Sequence, residues 1–331
     1  MNESQVIAAM PAVKPLIIRT RSFSMLGVVF SCNRAMQLDA TLRSFRLHCE
    51  DPERVRLFVI YRATNSRHAQ QYAELADEYG KNHAAVFLRQ RKFRADLLEI
   101  LLAGKGESRV GPLRKWAAVS VAKLGFSWGL MLARDPLPYV IFLVDDNIFV
   151  DRFRLLDICE ALEGHGDALG FSLRLGKNIT YFYPLNRPQN QPRFLALGNH
   201  MLKFDWTSAE GDFGYPLEVS SSVYRIDDVF PLVSRARFTN PNVLEARMAE
   251  SLRPFMTRRP CLLCYERSVA FCNPANIVQR EWPNRAGADP EQSVDSLADR
   301  FDQGHRVDVA GYSGFIPIGC HQEVKLRMHR G

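Results

Sequence analysis

In the first half of the chain, short apolar runs alternate with longer stretches in which apolar residues recur every three or four positions. Leu26-Gly27-Val28-Val29-Phe30, Val55-Arg56-Leu57-Phe58-Val59-Ile60 and Ala84-Ala85-Val86-Phe87-Leu88 read as buried strands. Met36, Leu38, Leu42 and Phe45 place a helix over 35–48, and further helices are predicted at 66–79, 94–103 and 113–133. Tyr139-Val140-Ile141-Phe142-Leu143-Val144 is apolar throughout, which suits the centre of a sheet. Asp151 then stands as an N-cap before another amphipathic segment. This alternation predicts an α/β fold, with a mostly parallel central sheet and helices on both faces.

After Gly170 the pattern changes. Residues 176–215 are rich in Asn, Pro, Gly and aromatics with little periodicity, the composition of a loop-rich substrate region. Strand and helix signals return at 219–226 and 243–252, and 282–293 reads as a mobile loop. No repeat, low-complexity tract or flexible linker interrupts the chain. It divides by role into a lead-in, 1–25, and two halves of one domain, 26–175 and 176–331.

Composition narrows the classes. With 331 residues, 47% hydrophobic and 24% charged, the chain has ample material for a core and is not disordered, collagen-like or a small disulfide scaffold. No run approaches the roughly 18 apolar residues of a membrane-spanning helix, and the first residues lack the order of a signal peptide. Seven scattered cysteines suit a reducing, cytoplasmic setting. Cys261 and Cys264 form one pair where structural zinc commonly takes two, so buried small hydrophobes are the favoured reading. The net charge of +7 permits an anionic partner without selecting one. Basic clusters at 89–94 and 325–330 read most simply as solvated faces. No nucleic-acid-binding signature is present, so no nucleic-acid partner is expected.

The sharpest chemical feature is Asp145-Asp146-Asn147 at the carboxyl end of the strongest strand, the edge at which open α/β sheets bind ligands. Two adjacent carboxylates repel and need a cation or strong donors nearby. A hard divalent ion is one solution; an acidic strand-to-helix turn with a capping role is the other.

This arrangement resembles a variant of the Asp-x-Asp motif of nucleotide-sugar glycosyltransferases with the GT-A fold. The first strand and the segment from Ser31-Cys32-Asn33-Arg34 to Ser44 resemble their first strand-loop-helix, where the nucleotide docks, and most resemble the inverting family 2. The resemblance covers about residues 25–175 well and the remainder loosely. It implies a GT-A fold and transfer of a sugar, with inversion, from a UDP-, GDP- or dTDP-linked donor. The acceptor would be a hydroxyl of a glycan, a lipid-linked precursor or a protein, and the cofactor Mn²⁺ or Mg²⁺. Ser31, Asn33, Arg34 and Asp145 become candidate donor-binding residues, and Asp146 and Asn147 candidate metal ligands.

Two departures from the family pattern matter. Asn147 stands where the family usually has a metal-ligating Asp and offers only a neutral carbonyl, which lends weight to a catalytically inactive carbohydrate-binding relative. Tyr61-Arg62-Ala63-Thr64 replaces the usual Gly-Ser, so Tyr61 is a candidate for base stacking and Arg62 for phosphate pairing. A diphosphate leaving group needs its charge offset by a metal and by cationic clamps; Arg89, Arg91 and Arg94 are candidates.

Inverting transfer also needs a general base. Glu245, on the first turn of a helix opened by Asn240-Pro241, is the first candidate, although a carboxylate there also complements the helix dipole. Asp212, between Gly211 and Gly214, is the second. Trp206, Phe213 and Tyr215 offer an apolar face for a sugar ring or ordinary core packing. Gln279-Arg280-Glu281-Trp282 lacks the Arg-Trp pair of processive sugar polymerases. His321 resembles the late histidine that ligates metal in many GT-A enzymes, and the basic tail is a candidate membrane or acceptor contact. A nucleotidyltransferase is the rival enzyme class, but it usually carries a Gly-rich phosphate loop absent here.

Overall fold

The computed structural model describes residues 25–81, 84–105, 136–278, 285, 287 and 289–330. The helix expected at 113–133, the segment 279–282 and most of the lead-in lie outside the described residues, as does part of the loop expected at 282–293.

The strands of the first half are β1 (Met25–Cys32), β2 (Val55–Arg62), β3 (Ala85–Arg89), β4 (Tyr139–Val144), β5 (Asn147–Phe149) and β6 (Ala168–Ser172). Those of the second half are β7 (Tyr181–Phe182), β8 (Arg187–Pro188), β9 (Leu195–Ala196), β10 (Met201–Asp205) and β11 (Ser222–Arg225). They are followed by β12 (Cys261–Tyr265), β13 (Ala270–Cys272), β14 (His305–Val307) and β15 (Met328–Arg330). Nine form one sheet in the order β3-β2-β1-β4-β11-β6-β12-β10-β9, so both halves of the chain build it. All but β10 and β11 run the same way, which makes the sheet mostly parallel as expected. Smaller antiparallel pairs join β5 to β13, β7 to β8 and β14 to β15.

Period-two alternation sorts the central strands between two cores. Tyr139, Ile141 and Leu143 of β4 face one core, with α1 (Ala35–His48), α2 (Ser66–Lys81) and, later in the chain, α4 (Leu155–Gly164). Val140 and Phe142 face the other, with α3 (Phe93–Gly104), α5 (Ile226–Arg235) and α6 (Pro241–Ala249). Helices therefore cover both faces. The predicted helix at 35–48 and strand at 139–144 match, because each pattern is long and unambiguous.

One local expectation is corrected. Asp151 does not cap α4, which starts later, at Leu155. Its first N–H groups are satisfied instead by Asp51, from a distant turn, whose oxygens accept from Leu155 N at 2.7 Å and Leu156 N at 3.0 Å. Asp51→Ala is expected to cost about 1–2 kcal/mol, read as a lower urea midpoint with an unchanged slope. Cys261 and Cys264, three apart on β12, point to opposite faces, and Cys264 packs in the core, in keeping with their reading as small hydrophobes. The basic tail lies at the surface, as expected of a solvated face: Lys325, Arg327 and Arg330 are exposed, and Lys325 pairs with Glu291 at 3.0 Å. Among the described residues, no helix is long and apolar enough to cross a membrane.

Candidate functional site

A cavity of about 610 Å³ opens at the carboxyl edge of the sheet. The ends of β1, β2, β4 and β6 line one side; the other is lined by the 211–222 segment, the start of α6 and the pair Cys320 and His321. Parallel strands bring their carboxyl ends to one edge, which is why loops distant in sequence converge there. The volume falls within the roughly 300–1,000 Å³ of small-ligand sites.

Asp145 is engaged by the chain's own donors. Its Oδ1 accepts from Arg34 Nη1 at 3.0 Å, and its Oδ2 from Ser31 Oγ at 2.8 Å and Cys32 N at 3.2 Å. Tyr72 extends this network: its hydroxyl lies 2.5 Å from Ser31 Oγ and accepts from Arg34 N at 3.0 Å. Arg34 is itself held by Asn276, whose Oδ1 accepts from Nε at 2.8 Å and whose carbonyl accepts from Nη2. The cation demanded by two adjacent carboxylates is thus, in the first instance, Arg34.

Asp146 is less well served. Its Oδ2 lies 3.6 Å from Arg34 Nη1, and its buried Oδ1 has no hydrogen-bond partner. Burial, opposed by Arg34 but aided by the Asp145 charge, pushes its carboxyl up to about 6. His321 also lines the cavity, and its Nδ1 is buried and unpartnered. Burial and then the nearby Arg174 charge hold its pKa down to about 3, so the imidazole is neutral near pH 7, the form that binds metals. Two orphaned buried donor atoms on one cavity fit a divalent ion whose shell is completed by ligand phosphates. Among the described residues, no three His, Cys, Asp or Glu side chains gather closely enough to hold a metal without such help.

Asn147, expected as a metal ligand, is turned away from the cavity. It is fully buried on β5; its Oδ1 accepts from Val144 N at 2.9 Å and its Nδ2 donates to Cys272 Sγ at 3.1 Å. A strand starting at Asn147 places this side chain in the core. Asn147→Ala is expected to lose about 1–3 kcal/mol in urea unfolding, because Val144 N is left unpaired, while the thermal shift caused by Mn²⁺ plus nucleotide stays unchanged.

Both base candidates reach the cavity. Asn240 caps α6, accepting from Val243 N at 3.0 Å, and Pro241 begins the helix, so Glu245 is carried inward on its second turn. Glu245 Oε2 accepts from Val219 N at 2.8 Å. Burial first, and then the Glu218 charge, push its carboxyl up to about 7, against the lowering contacts of Val219 N, Arg174 and Tyr215. Asp212 is likewise raised by burial, but Gln189 clasps it, donating to Oδ2 and accepting from Asp212 N, each at 2.9 Å.

Other expected residues serve the fold. Tyr61 lies on the opposite face of β2 from Ile60 and Arg62, stacked on Tyr72 with ring centres 4.4 Å apart; Arg62 does line the cavity. Asn33, at φ 57°, pins two loops together by exchanging hydrogen bonds with Thr64, both at 2.9 Å. Arg94 donates to the carbonyls of Ser234 and Ala236 at the end of α5, and Arg89 and Arg91 are also outside the cavity lining. Trp206 and Phe213 are core residues, whereas Tyr215 lines the cavity. Sequence reasoning missed Arg174 and Glu218, a buried pair on the cavity wall with Nη2 and Oε2 2.8 Å apart. Only the antiparallel pairing of β6 with β11 brings them together, and no spacing signal announces that.

No protein-family model matches the chain. Over 113 aligned positions, covering 32% of the chain, it is 30% identical to the bifunctional glycosyltransferase pgtA of Dictyostelium discoideum. The match spans 15% of that relative's length. Among solved structures, the chain is similar to S. aureus TarS 1-349 in complex with UDP-GlcNAc, with 11% identity and a TM-score of 0.43 over 88% of this chain and 66% of that one. It is also similar to mouse xyloside xylosyltransferase 1, with 11% identity and a TM-score of 0.29 over 72% and 77% of the two chains.

Proposed function

We propose that this chain is a glycosyltransferase that moves a sugar from a nucleotide-diphosphate donor to an acceptor hydroxyl, with inversion. The observation that carries this reading is one cavity lined by both Glu245, a half-buried carboxyl whose pKa is pushed up to about 7, and the strand-end cluster of Arg34, Arg62 and Asp146. The sequence match to a glycosyltransferase and the motif order in the first half support it. Arg62, at the end of β2, pairs with the donor diphosphate, a role its cavity position supports. Asp146 and His321 would hold Mn²⁺ or Mg²⁺, which would supply positive charge to offset that of the departing diphosphate.

Glu245 accepts the proton of the acceptor hydroxyl as its oxygen bonds to the anomeric carbon. The carbon–oxygen bond to the diphosphate breaks, and its electron pair leaves with the nucleoside diphosphate. Asp212 is the weaker candidate, since Gln189 already occupies one of its oxygens. The acceptor is a glycan, a lipid-linked precursor or a protein, and unpaired thiols support a cytoplasmic setting. The direct test is a thermal-shift screen of UDP-, GDP- and dTDP-sugars with Mn²⁺, Mg²⁺ or EDTA, followed by donor hydrolysis. One nucleotide class should stabilise the protein more with metal than with EDTA; no shift with any nucleotide plus metal rejects the reading.

A further inference from the structure

Glu218 is charged, buried and beside the cavity, yet the proposed reaction gives it no part. Its carboxylate is saturated by the protein: Oε2 accepts from Arg174 Nη2 at 2.8 Å and from Ser220 N, and Oε1 accepts from Ser222 Oγ. A carboxylate with three such donors has little hydrogen-bonding capacity left for substrate. The next residue, Val219, donates its N–H to Glu245. The same short segment therefore fastens Glu218 to Arg174 and delivers a hydrogen bond to Glu245. The groups acting on Glu245 are Glu218 and Val219 N of this segment, Tyr215 before it and Arg174 from the end of β6.

We infer that Glu218, clamped by Arg174, is a positioning residue that sets the proton affinity of Glu245 through its fixed negative charge and through Val219. The inference rests on Glu245 being the base. It makes a signed demand: removing the Glu218 charge leaves Glu245 facing Arg174 without a competing anion, so Glu245 must become a weaker base. Removing the Arg174 charge must do the reverse.

The experiment follows the Glu245 carboxyl by ¹³C NMR in EDTA, in protein labelled at the glutamate δ-carbon, with the resonance assigned by its loss in Glu245→Gln. In Glu218→Gln its titration should move down by about one pH unit, and the acid limb of kcat/KM should move with it. A purely structural role would lower activity without moving either. An unmoved or upward titration in Glu218→Gln overturns the inference, even when Glu245→Gln proves that Glu245 is the base. A downward shift in a protein whose Glu245→Gln variant still transfers sugar upholds the coupling and rejects the base assignment instead. Should Glu218→Gln fail to fold, Arg174→Gln decides: a Glu245 titration moved to higher pH supports the inference, and one that stays or falls overturns it.

Discussion

Glu245→Gln is expected to lower sugar transfer by about 10²–10⁴-fold, the usual worth of a general base, while donor binding measured by thermal shift is retained. Gln keeps the shape and can still accept from Val219 N, so the fold around α6 should persist. In the unaltered protein the base must be unprotonated to act, and its carboxyl is raised to about 7. kcat/KM should therefore fall as the pH is lowered through about 7, and the residual activity of Glu245→Gln should lose that limb. Transfer retained at the original rate would return the role to Asp212.

Arg34→Met should be the most destabilising substitution at the site, by about 3–5 kcal/mol in urea at pH 8, because it strips the cation from a buried acid pair. Arg34 lowers the proton affinity of Asp146, so without it that carboxylate holds its proton still more tightly in the folded than in the unfolded state, where an Asp titrates near about 3.9. Stability must then fall as the pH rises through that window, so the loss should be smaller at pH 5 than at pH 8. Asp146 gives the unaltered protein the same sign: its folded value of about 6 implies stability lost as the pH rises from about 4 to 6. A loss equal at both pH values would mean that Arg34 acts through packing alone.

Much of the site was legible where a residue's role follows from its position at a strand or helix end. Asp146 closes the most apolar strand, and Pro241 with the Asn240 cap announces the helix that carries Glu245. Side-chain direction was not legible. Arg94 looked like a phosphate clamp because arginines cluster around it, but a clamp must face the cavity, and Arg94 faces the end of α5 instead. Asn147 looked like a ligand because it follows two aspartates, but a new strand begins there and turns it into the core.

The sequence by itself determined the alternation of strands and helices, the central strand and the acid pair at its end, since these rest on local periodicity and on burial of apolar runs. Only the tertiary structure decided which cation answers the acid pair, which carboxylates share the cavity, and that Arg174 lies against Glu218. Those depend on strand order and on contacts between residues 44 or more positions apart, about which local periodicity carries no information.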